Sequence, residues 1–370
     1  MRILKKVKYN LSHIPGWKTK RKIVVIESDD WGSIRMPSKE IFLKLQKDGY
    51  QPEKDPYLKY DSLASEDDLN ALFDVLTSVK DINGNNAKIT ANCVVANPDF
   101  KKIADSNFQD YFYESFTETL KNYDEHGNSF KLWKEGINNN IFHPQFHGRE
   151  HMNVYNWLKG LQNGDKNLHK AFENKMISIS SLPSKMRFGY MESLDYFSDI
   201  EKESKSLILE DGLKLFNDIF NFSSQSFIAN CYIWDNKVEE VLAKNNVKYI
   251  QGIPFQFIPN LNNKEHKLSR KYHFTGQSNK FNQNYIVRNM HFEPSQYSRV
   301  EITDILKRIE IAFKWNKPAI ISSHRLNFIG YIDSKNRENN LKKFKELLTM
   351  IVSKWPDIEF MTSDELGNLM

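Results

Sequence analysis

Two adjacent carboxylates near the start of the chain are the first residues that could do chemistry. Asp29 and Asp30 follow the apolar run 23–27, which is typical of a buried strand. In parallel α/β folds, catalytic residues collect at the carboxyl ends of strands. Two aspartates after a strand are nevertheless more often turn or cap residues. The pair therefore indicates a site only if other strand ends supply partners.

A pair of histidines follows a second strand-like run. His147 and His151 come after residues 140–143 and are four positions apart. On one turn of a helix they would face the same way and could bind one metal ion. Two histidines with this spacing are about as often ordinary surface or core residues as they are metal ligands. His143, inside the run, is better placed for packing or for support behind the ligands.

A third strand end carries a single histidine. The apolar run 319–322 leads through Ser323 into His324. A lone histidine at such a position is more often structural than catalytic. Here three strand ends deliver an acidic pair, a histidine pair and a single histidine, and this convergence predicts a metal-dependent site.

The elements that must position these residues form a repeating pattern. Short β-branched or apolar runs alternate with longer polar or helix-patterned stretches, which favours a parallel α/β fold. The runs are 23–27, 88–95, 140–143, 226–230, 248–251, 319–322 and 358–361. Their number predicts a closed, distorted (β/α) barrel of about seven parallel strands rather than a short open sheet.

Helical patterns fill the intervals between these runs. Ser65 followed by Asp68 marks a helix start, and apolar residues then recur at helical spacing up to Val79. Residues 300–313 and 341–352 also have one apolar face. The segments 32–60, 101–139, 151–225 and 252–285 are too long for ordinary loops, so we expect extra helices or small hairpins there. We predict one domain over residues 21–370, preceded by a basic extension of residues 1–20.

Composition narrows the class of protein. With 370 residues, 40% of them hydrophobic and 27% charged, the chain has the composition of a folded globular protein. Cys93 and Cys231 are the only cysteines, which excludes a disulfide framework and a cysteine-rich zinc site. No run has the length or apolarity of a signal peptide or membrane span, which predicts a cytoplasmic protein.

The charge pattern indicates which binding partners to expect. The net charge of +5 is mild and its basic residues are dispersed, so nucleic acid is not an expected partner. The exception is the basic N-terminus, which could contact an anionic membrane surface peripherally. A solvated basic tail is the alternative.

Taken in order, these motifs resemble those of the polysaccharide deacetylase family, also called the NodB-homology or carbohydrate esterase family 4 group. That family has a first motif ending in Asp-Asp, a second of the form His-Ser/Thr-x-x-His, an aromatic-containing third motif and a late strand ending in Leu-x-His. The matching segments here are 29–30, 147–151, 227–232 and 322–324. The resemblance extends from Lys22 to the last predicted strand.

The resemblance implies a role for each residue. Asp30, His147 and His151 would bind one divalent metal, with zinc the first choice and cobalt or nickel the alternatives. Asp29 would be the general base and His324 the general acid. The implied reaction is removal of an N-acetyl group from a carbohydrate or glycan precursor, in which a metal-bound water attacks the acetyl carbonyl.

The sequence departs from the family pattern in its third motif. The family has an Arg-x-Pro-Tyr sequence whose arginine holds the catalytic aspartate, whereas residues 228–232 contain neither arginine nor proline. Arg288 and Arg325 are candidate replacements, because one follows an apolar run and the other adjoins His324. Gly148 stands where the family has Ser or Thr.

The fourth motif of the family is not recognisable either. Glu293 could orient His324 through a carboxylate-imidazole hydrogen bond, and a loop carboxylate before Pro294 is the equal alternative. Trp31 and Tyr232 adjoin the site residues and could contact a sugar ring, as could other neighbouring aromatics. Packing is the more usual role of any one aromatic residue.

Other functions fit the same residues. The site could remove O-acetyl groups or hydrolyse another small amide. The chain could also be a non-catalytic carbohydrate-binding homologue, although such a protein has no need of Asp29 and His324. A metal-free structural protein would require all three clusters to be coincidental.

Overall fold

The computed structural model describes residues 3–179, 189–261, 267–297 and 300–370. The strands are β1 Lys22–Trp31, β2 Ile89–Cys93, β3 Ala96–Pro98, β4 Tyr113–Ser115, β5 Phe142–Phe146, β6 Ser226–Ile228, β7 Tyr249–Gly252, β8 Phe255–Ile258, β9 Ser269–Tyr272, β10 Asn284–Val287, β11 Met290–His291, β12 Ala319–His324 and β13 Ile358–Met361. The helices are α1 Ile3–Ser12, α2 Lys39–Lys47, α3 Pro56–Tyr60, α4 Glu66–Thr77, α5 Phe100–Asp105, α6 Phe116–Lys121, α7 Ser129–Asn138, α8 Val154–Gln162, α9 Lys166–Glu173, α10 Asp199–Phe220, α11 Asn236–Lys244, α12 Ile302–Lys314, α13 Ser334–Lys354 and α14 Ser363–Gly367.

Parallel strands form a closed ring. The order of hydrogen-bonded neighbours is β10, β7, β6, β5, β2, β1, β12 and β11. Its two ends are joined directly by the chain, because the Arg288 N–H donates to the Gly252 carbonyl of β7 and the Asn289 N–H donates to the Ile320 carbonyl of β12. The segment 284–291 thus acts as one strand that closes a distorted (β/α) barrel, which confirms the predicted fold class.

The predicted strands compare closely with the observed ones. Each of the seven apolar runs contains a strand, and the missed strand is the segment 284–291 that closes the ring. Strand β13 pairs with only the first half of β1, from Lys22 to Val25, so it lies beside the ring at its lower end. The sequence therefore predicted the number of ring strands while misassigning one of them.

The predicted helices are also present. Ser65 and Asp68 form a reciprocal capping box at the start of α4, as expected from their spacing. Helices α12 and α13 cover the two amphipathic segments, and α13 begins earlier than predicted, at Ser334. The long segments hold α2 and α3, then α5 to α7, then α8 to α10, and last the β8–β9 hairpin.

The barrel interior changes from apolar to polar along its axis. On β1, Ile23 and Val25 belong to a small buried cluster inside the lower barrel, whereas Val24 packs into the large core shared with the helices. Since side chains alternate along a strand, Glu27 and Asp29 continue the inward row. Both are buried. The inward row therefore delivers carboxylates to the carboxyl end of the barrel.

The N-terminal segment is attached to the barrel wall. Trp315 Nε1 donates to Asn10 Oδ1 at 2.8 Å, and Lys317 Nζ donates to the carbonyls of Pro15, Gly16 and Trp17 at 2.6–2.8 Å. Within the described ranges, every helix is too short or too polar to cross a membrane. The division into an extension and a single domain stays a prediction.

Candidate active site

A bulge at the end of β1 brings both aspartates to one cavity. Neighbouring side chains of a regular strand point to opposite faces, so Asp29 and Asp30 would normally diverge. The pairing of β1 with β2 shifts register between Ser28 and Trp31, and Asp30 has a left-handed backbone with φ of 72°. This conformation is uncommon for a non-glycine residue and clusters at functional sites. The bulge turns Asp30 back toward the cavity that Asp29 enters.

Asp30 meets the two predicted histidine ligands. Asp30 Oδ1 lies 3.4 Å from His147 Nε2 and 3.2 Å from His151 Nε2. All three residues are buried, and their ligand atoms lie within 4.8 Å of one another. Buried polar atoms that converge in this way, from two imidazoles and one carboxylate, are a suitable donor set for a divalent ion.

The histidine pair is not on a helix, contrary to the expectation from its spacing. His147 and His151 lie in an irregular loop between β5 and α8, and their ring centroids are 5.1 Å apart. Gly148 has φ of 119°, and a Cβ atom there would lie 3.2 Å from Asn230 Oδ1. A residue with a side chain is therefore strained at this position, which accounts for the glycine where the family has Ser or Thr.

A hydrogen bond orients the ring of His147, and burial sets the charge of the His151 ring. His147 Nδ1 donates to the Ile228 carbonyl at 2.8 Å, which directs Nε2 toward Asp30. Asn230 Nδ2 lies 3.2 Å from the same Nε2 atom. Burial lowers the pKa of His151 to about 4, so its ring is neutral at pH 7, the form that binds metals.

Arg35 holds the other oxygen of Asp30. Its Nη2 donates to Asp30 Oδ2 at 3.0 Å. Burial opposes the negative charge, but the contacts with His151 and with the Arg35 guanidinium outweigh it and hold the pKa of Asp30 well below its usual range. Asp30 therefore stays ionised while one oxygen remains directed at the two histidines.

Arg288, one of the two candidate replacements for the arginine that the third motif lacks, contacts Asp29 directly. It donates from Nη1 and Nη2 to the two oxygens of Asp29, each at 2.6 Å, and from Nε to Glu27 Oε2 at 2.5 Å. Asn92 Nδ2 donates to Asp29 Oδ1 at 2.9 Å. Burial raises the pKa of Asp29, but Arg288 outweighs this effect and the pKa falls to about 2. Asp29 is thus a fixed anion.

His324 faces Asp29 from the neighbouring strand. The two residues are register partners on β12 and β1, and His324 Nε2 lies 3.8 Å from Asp29 Oδ2. His324 Nδ1 donates to Glu293 Oε1 at 2.7 Å, and Asn327 holds the other oxygen of Glu293. Burial lowers the pKa of His324, but Glu293 and Asp29 outweigh this effect and raise it to about 9. His324 is therefore an imidazolium at neutral pH.

Two residues that the sequence analysis proposed for the site, Arg325 and Trp31, do not line the cavity. Arg325 is buried in a bidentate pair with Asp61, at 2.9 and 3.0 Å, and its remaining nitrogen donates to the Ser33 carbonyl rather than to Asp29. Trp31 lies in the core, where its ring packs edge-on against Trp133 and Phe142. Because its indole N–H donates to Ser28 rather than into the cavity, Trp31 is a packing residue.

The site residues line one cavity of about 590 Å³. Its floor holds the three metal-ligand candidates together with Asp29 and His324. Aromatic side chains line its walls, and they are Tyr57, Tyr232, Phe257 and Tyr297. The Tyr232 hydroxyl accepts from Arg288 Nη1 at 3.3 Å, so one wall is tied to the Arg288–Asp29 pair.

Sequence reasoning missed several residues of the site. Asn92 and Glu27 lie inside predicted strands, and a polar residue at an inward position of such a run was an available signal. Arg35 and Tyr57 come from the long segment 32–60, where no pattern pointed to them. Tyr57 lies edge-on to His324, with ring centroids 5.8 Å apart, and its ring is 5.2 Å from the Arg35 guanidinium.

No protein-family model and no curated protein matches the chain. Among solved structures, it is similar to a probable polysaccharide deacetylase of Pseudomonas aeruginosa PAO1, at 7% identity over 95% of this chain and 90% of the other, with a TM-score of 0.45. It is similar to a CE4 family pseudoenzyme of Bacillus anthracis, at 10% identity over 94% and 65%, with a TM-score of 0.36. A third is a 4-alpha-glucanotransferase of Thermococcus litoralis, at 8% identity over 93% of this chain and 40% of the other, with a TM-score of 0.45. Polysaccharide deacetylases are thus among the structures that this chain resembles, but likeness at this level assigns no activity.

Proposed function

We propose that this protein is a metal-dependent hydrolase that removes N-acetyl groups from a carbohydrate or glycan precursor. One observation carries the proposal. The ligand atoms of Asp30, His147 and His151 lie within 4.8 Å of one another in the cavity that also contains Asp29 and His324. A ligand cluster, an anion and a cationic imidazole are the groups that hydrolysis of an amide needs.

The donor set suits a divalent ion, and zinc is our first choice. Two imidazole nitrogens and one carboxylate are a common catalytic zinc set, and they leave positions open for substrate. Cobalt and nickel are the alternatives. When bound, the ion would act as a Lewis acid on the acetyl carbonyl and on water. Asp30 and the two histidines would hold it, with Arg35 and the Ile228 carbonyl fixing their orientation.

Asp29 is the proposed general base. Arg288 and Asn92 fix its carboxylate, and its low pKa keeps it ionised over the working pH range. The oxygen Oδ2 faces His324 across 3.8 Å, so a proton taken up at Asp29 lies near the group that must give one up. A carboxylate held this tightly is a weak base. Asp29 therefore contributes by its fixed position as well as by its basicity.

His324 is the proposed general acid. An amine leaves readily only when it is protonated, and the imidazolium form of His324 can supply that proton from Nε2. Glu293 holds Nδ1, so Nε2 is the nitrogen left toward the cavity. The same pair stabilises the positive charge before transfer and fixes the ring direction.

The cavity supports a sugar substrate through its walls. Tyrosine and phenylalanine rings offer a broad apolar surface to the faces of a sugar, and tyrosine adds a hydroxyl that can bind sugar hydroxyls. The geometry is also compatible with O-acetyl esters or another small amide. Comparing acetate release from N-acetylated and O-acetylated sugars separates these reactions.

Metal content tests the proposal directly. We expect about one divalent ion per chain in the wild type and its loss in His147→Ala, together with loss of acetate release. His143→Ala is the matched control, because His143 pairs with Asp364 at 3.3 Å and is not a cavity residue. A wild type that neither contains nor takes up zinc, cobalt or nickel would contradict the proposed site.

We further propose a peripheral contact between the N-terminal segment and an anionic membrane surface of the cytoplasm. Val7 and Leu11 of α1, together with Ile14 just after its end, expose 51%, 58% and 52% of their surface and are four and three positions apart. Helix α1 also carries three lysines. Exposed apolar residues at helical spacing together with basic residues are typical of interfacial helices.

Vesicle binding tests this contact. Leu11→Glu should weaken binding to vesicles rich in phosphatidylglycerol, while Leu207→Glu, at an even more exposed leucine on α10, should not. Equal binding of both variants and the wild type would rule out the proposed contact.

A further inference from the structure

A second cavity lies beside the catalytic one. It has a volume of about 330 Å³, and Pro254 and His291 line both cavities. The N-terminal segment closes one side through Tyr9 and His13, and Arg308 of α12 contributes from another. We call it the basic cavity.

The two cavities differ in charge. Three cationic side chains line the basic cavity, namely Arg288, Arg308 and Lys317, together with three histidines. Among the residues that the structure describes, no carboxylate lines it. The catalytic cavity, by contrast, is lined by Asp29, Asp30 and Glu293. An anionic ligand therefore has a clear electrostatic preference for the basic cavity.

Two of the cations already have partners. Arg288 donates to Glu27 and Asp29, and Lys317 donates to three backbone carbonyls of the N-terminal segment. These groups shape the cavity and add positive potential. Because their N–H groups already donate to these partners, Arg288 and Lys317 have few donors left for a ligand.

Arg308 and His13 are different. The guanidinium of Arg308 lies 4.3 Å from the ring centroid of Tyr9, and it forms no ion pair within the described ranges. His13 is only 6% exposed. Its Nδ1 atom lies 3.1 Å from Ser12 Oγ, whereas Nε2 is buried with no hydrogen-bond partner among the described residues. A buried polar atom without a partner is costly, and a bound ligand would supply one.

We propose that the basic cavity binds a phosphate or diphosphate group, with Arg308 and His13 as its principal contacts. A guanidinium matches the geometry of phosphate oxygens and can donate two parallel hydrogen bonds. The volume lies near the lower end of small-ligand pockets, roughly 300–1,000 Å³, so the cavity suits a compact group rather than a glycan chain. The Tyr9 ring holds the guanidinium beside the cavity.

The position of the basic cavity relates it to the substrate. Because Pro254 and His291 line both cavities, a sugar in the catalytic cavity could carry a phosphate into the basic one. This step rests on the proposed function. It makes the substrate class an acetylated sugar that bears a phosphate or diphosphate, rather than a finished neutral polysaccharide.

Pyrophosphate binding tests the site without reference to catalysis. The full chain is first treated with chelator, so that pyrophosphate cannot bind through a metal, and titrated calorimetrically at constant ionic strength. Arg308→Gln should weaken binding roughly tenfold or more, as expected for loss of charged hydrogen bonds. Lys307→Gln, its exposed neighbour outside the cavity, should bind within about twofold of wild type, because surface charges contribute little.

His13→Ala provides a second test at the opposite wall. Its binding should weaken as well, while its melting temperature shows that the chain is folded. If wild type does not bind pyrophosphate, or if Arg308→Gln and His13→Ala bind it as tightly as wild type, the proposal is wrong.

Kinetics then distinguish a phosphate carried by the substrate from a free anion. If the substrate carries it, the KM of an acetylated sugar phosphate should be lower than that of the neutral sugar, and Arg308→Gln should remove the difference. If the anion binds separately from the substrate, the acetylated sugar phosphate and the neutral sugar should have equal KM values. Adding pyrophosphate should leave these two KM values equal. Pyrophosphate binding that is lost in Arg308→Gln, in a protein that releases no acetate from any substrate, would retain the anion site and reject the proposed hydrolase.

Discussion

The two sides of the cavity that holds the proposed active site are built differently. On one side, Asp30, His147 and His151 come from a bulge and an irregular loop, and two of them face a single carboxylate oxygen. On the other side, Asp29 and His324 are register partners on adjacent strands. The side with Asp29 and His324, the proposed proton-transfer side, is therefore fixed by sheet hydrogen bonds, whereas the other, the proposed ligand side, depends on side-chain contacts.

Charge balance shows the same contrast. The proton-transfer side contains its own counterions, since Arg288 lies between Glu27 and Asp29 and His324 lies against Glu293. On the ligand side, Asp30 pairs with Arg35 at 3.0 Å, and His147 and His151 share the other Asp30 oxygen as their common partner. We infer that removing a metal would disturb the loop around His147 and leave the strand ends in place.

The largest expected effect separates the two sides by function. Asp29→Asn should reduce turnover by about 10²–10⁴-fold, the usual contribution of a general base, while metal content stays at the wild-type level. Elemental analysis and acetate release on the same preparation measure both. Unchanged turnover would remove Asp29 from the mechanism, and lost metal would place it among the ligands.

The next effect concerns the two buried arginines. Arg288→Gln should lower turnover by about 10–100-fold through loss of Asp29 orientation, a magnitude typical of residues that support a catalytic group. Removing one partner of a buried pair also costs about 3–5 kcal/mol of unfolding free energy. Urea unfolding and kcat are measured together.

Arg325→Gln is the matched control for that variant. Arg325 is equally buried, and its partner Asp61 would keep only a 3.6 Å contact with Arg35, so a similar loss of unfolding free energy is expected. The kcat of the folded protein should change little. Equal kcat losses in both variants would mean that Arg288 acts on stability alone.

A pH profile tests the acid. The donor is the imidazolium of His324, which is present below its pKa of about 9, so turnover should hold through neutral pH and fall above pH 9. Glu293→Gln removes the charge that raises this pKa, and the alkaline limb should move toward the ordinary histidine value of about 6.5. If the alkaline limb does not move in Glu293→Gln, that limb reports the titration of a group other than His324.

The same pair bears on stability. Because the folded pKa of His324 is raised, its contribution to unfolding free energy is present below about pH 6.5 and is lost as pH rises through 9. Thermal unfolding of wild type and Glu293→Gln across this range should show a smaller pH dependence in the variant.

The smallest expected effect is that of metal removal on the fold. An ion that binds only the native state raises the melting temperature, by a few degrees at moderate saturation. Chelation should lower it in wild type and not in His151→Ala. Hydrogen exchange should increase in residues 147–153 and stay unchanged in β1 and β12. A uniform increase would contradict the contrast between the two sides.

Much of this protein follows from the sequence alone. Apolar runs of strand length predicted the barrel, because strands buried on both faces need continuous apolar residues. The capping box at Ser65 predicted a helix start from local hydrogen bonds. The order of the motifs identified the residues at three strand ends, and the structure brings Asp29, Asp30, His147, His151 and His324 into one cavity.

Tertiary structure decided the rest, because those features depend on partners far apart in the chain. Local pattern does not distinguish Arg288 from Arg325; only the closing strand 284–291 places Arg288 against Asp29, 259 residues away. The bulge at Asp30 and the loop at His147 are backbone states without a periodic signal. The basic cavity arises where the N-terminal segment meets α12, two regions about 300 residues apart that Lys317 joins through its hydrogen bonds.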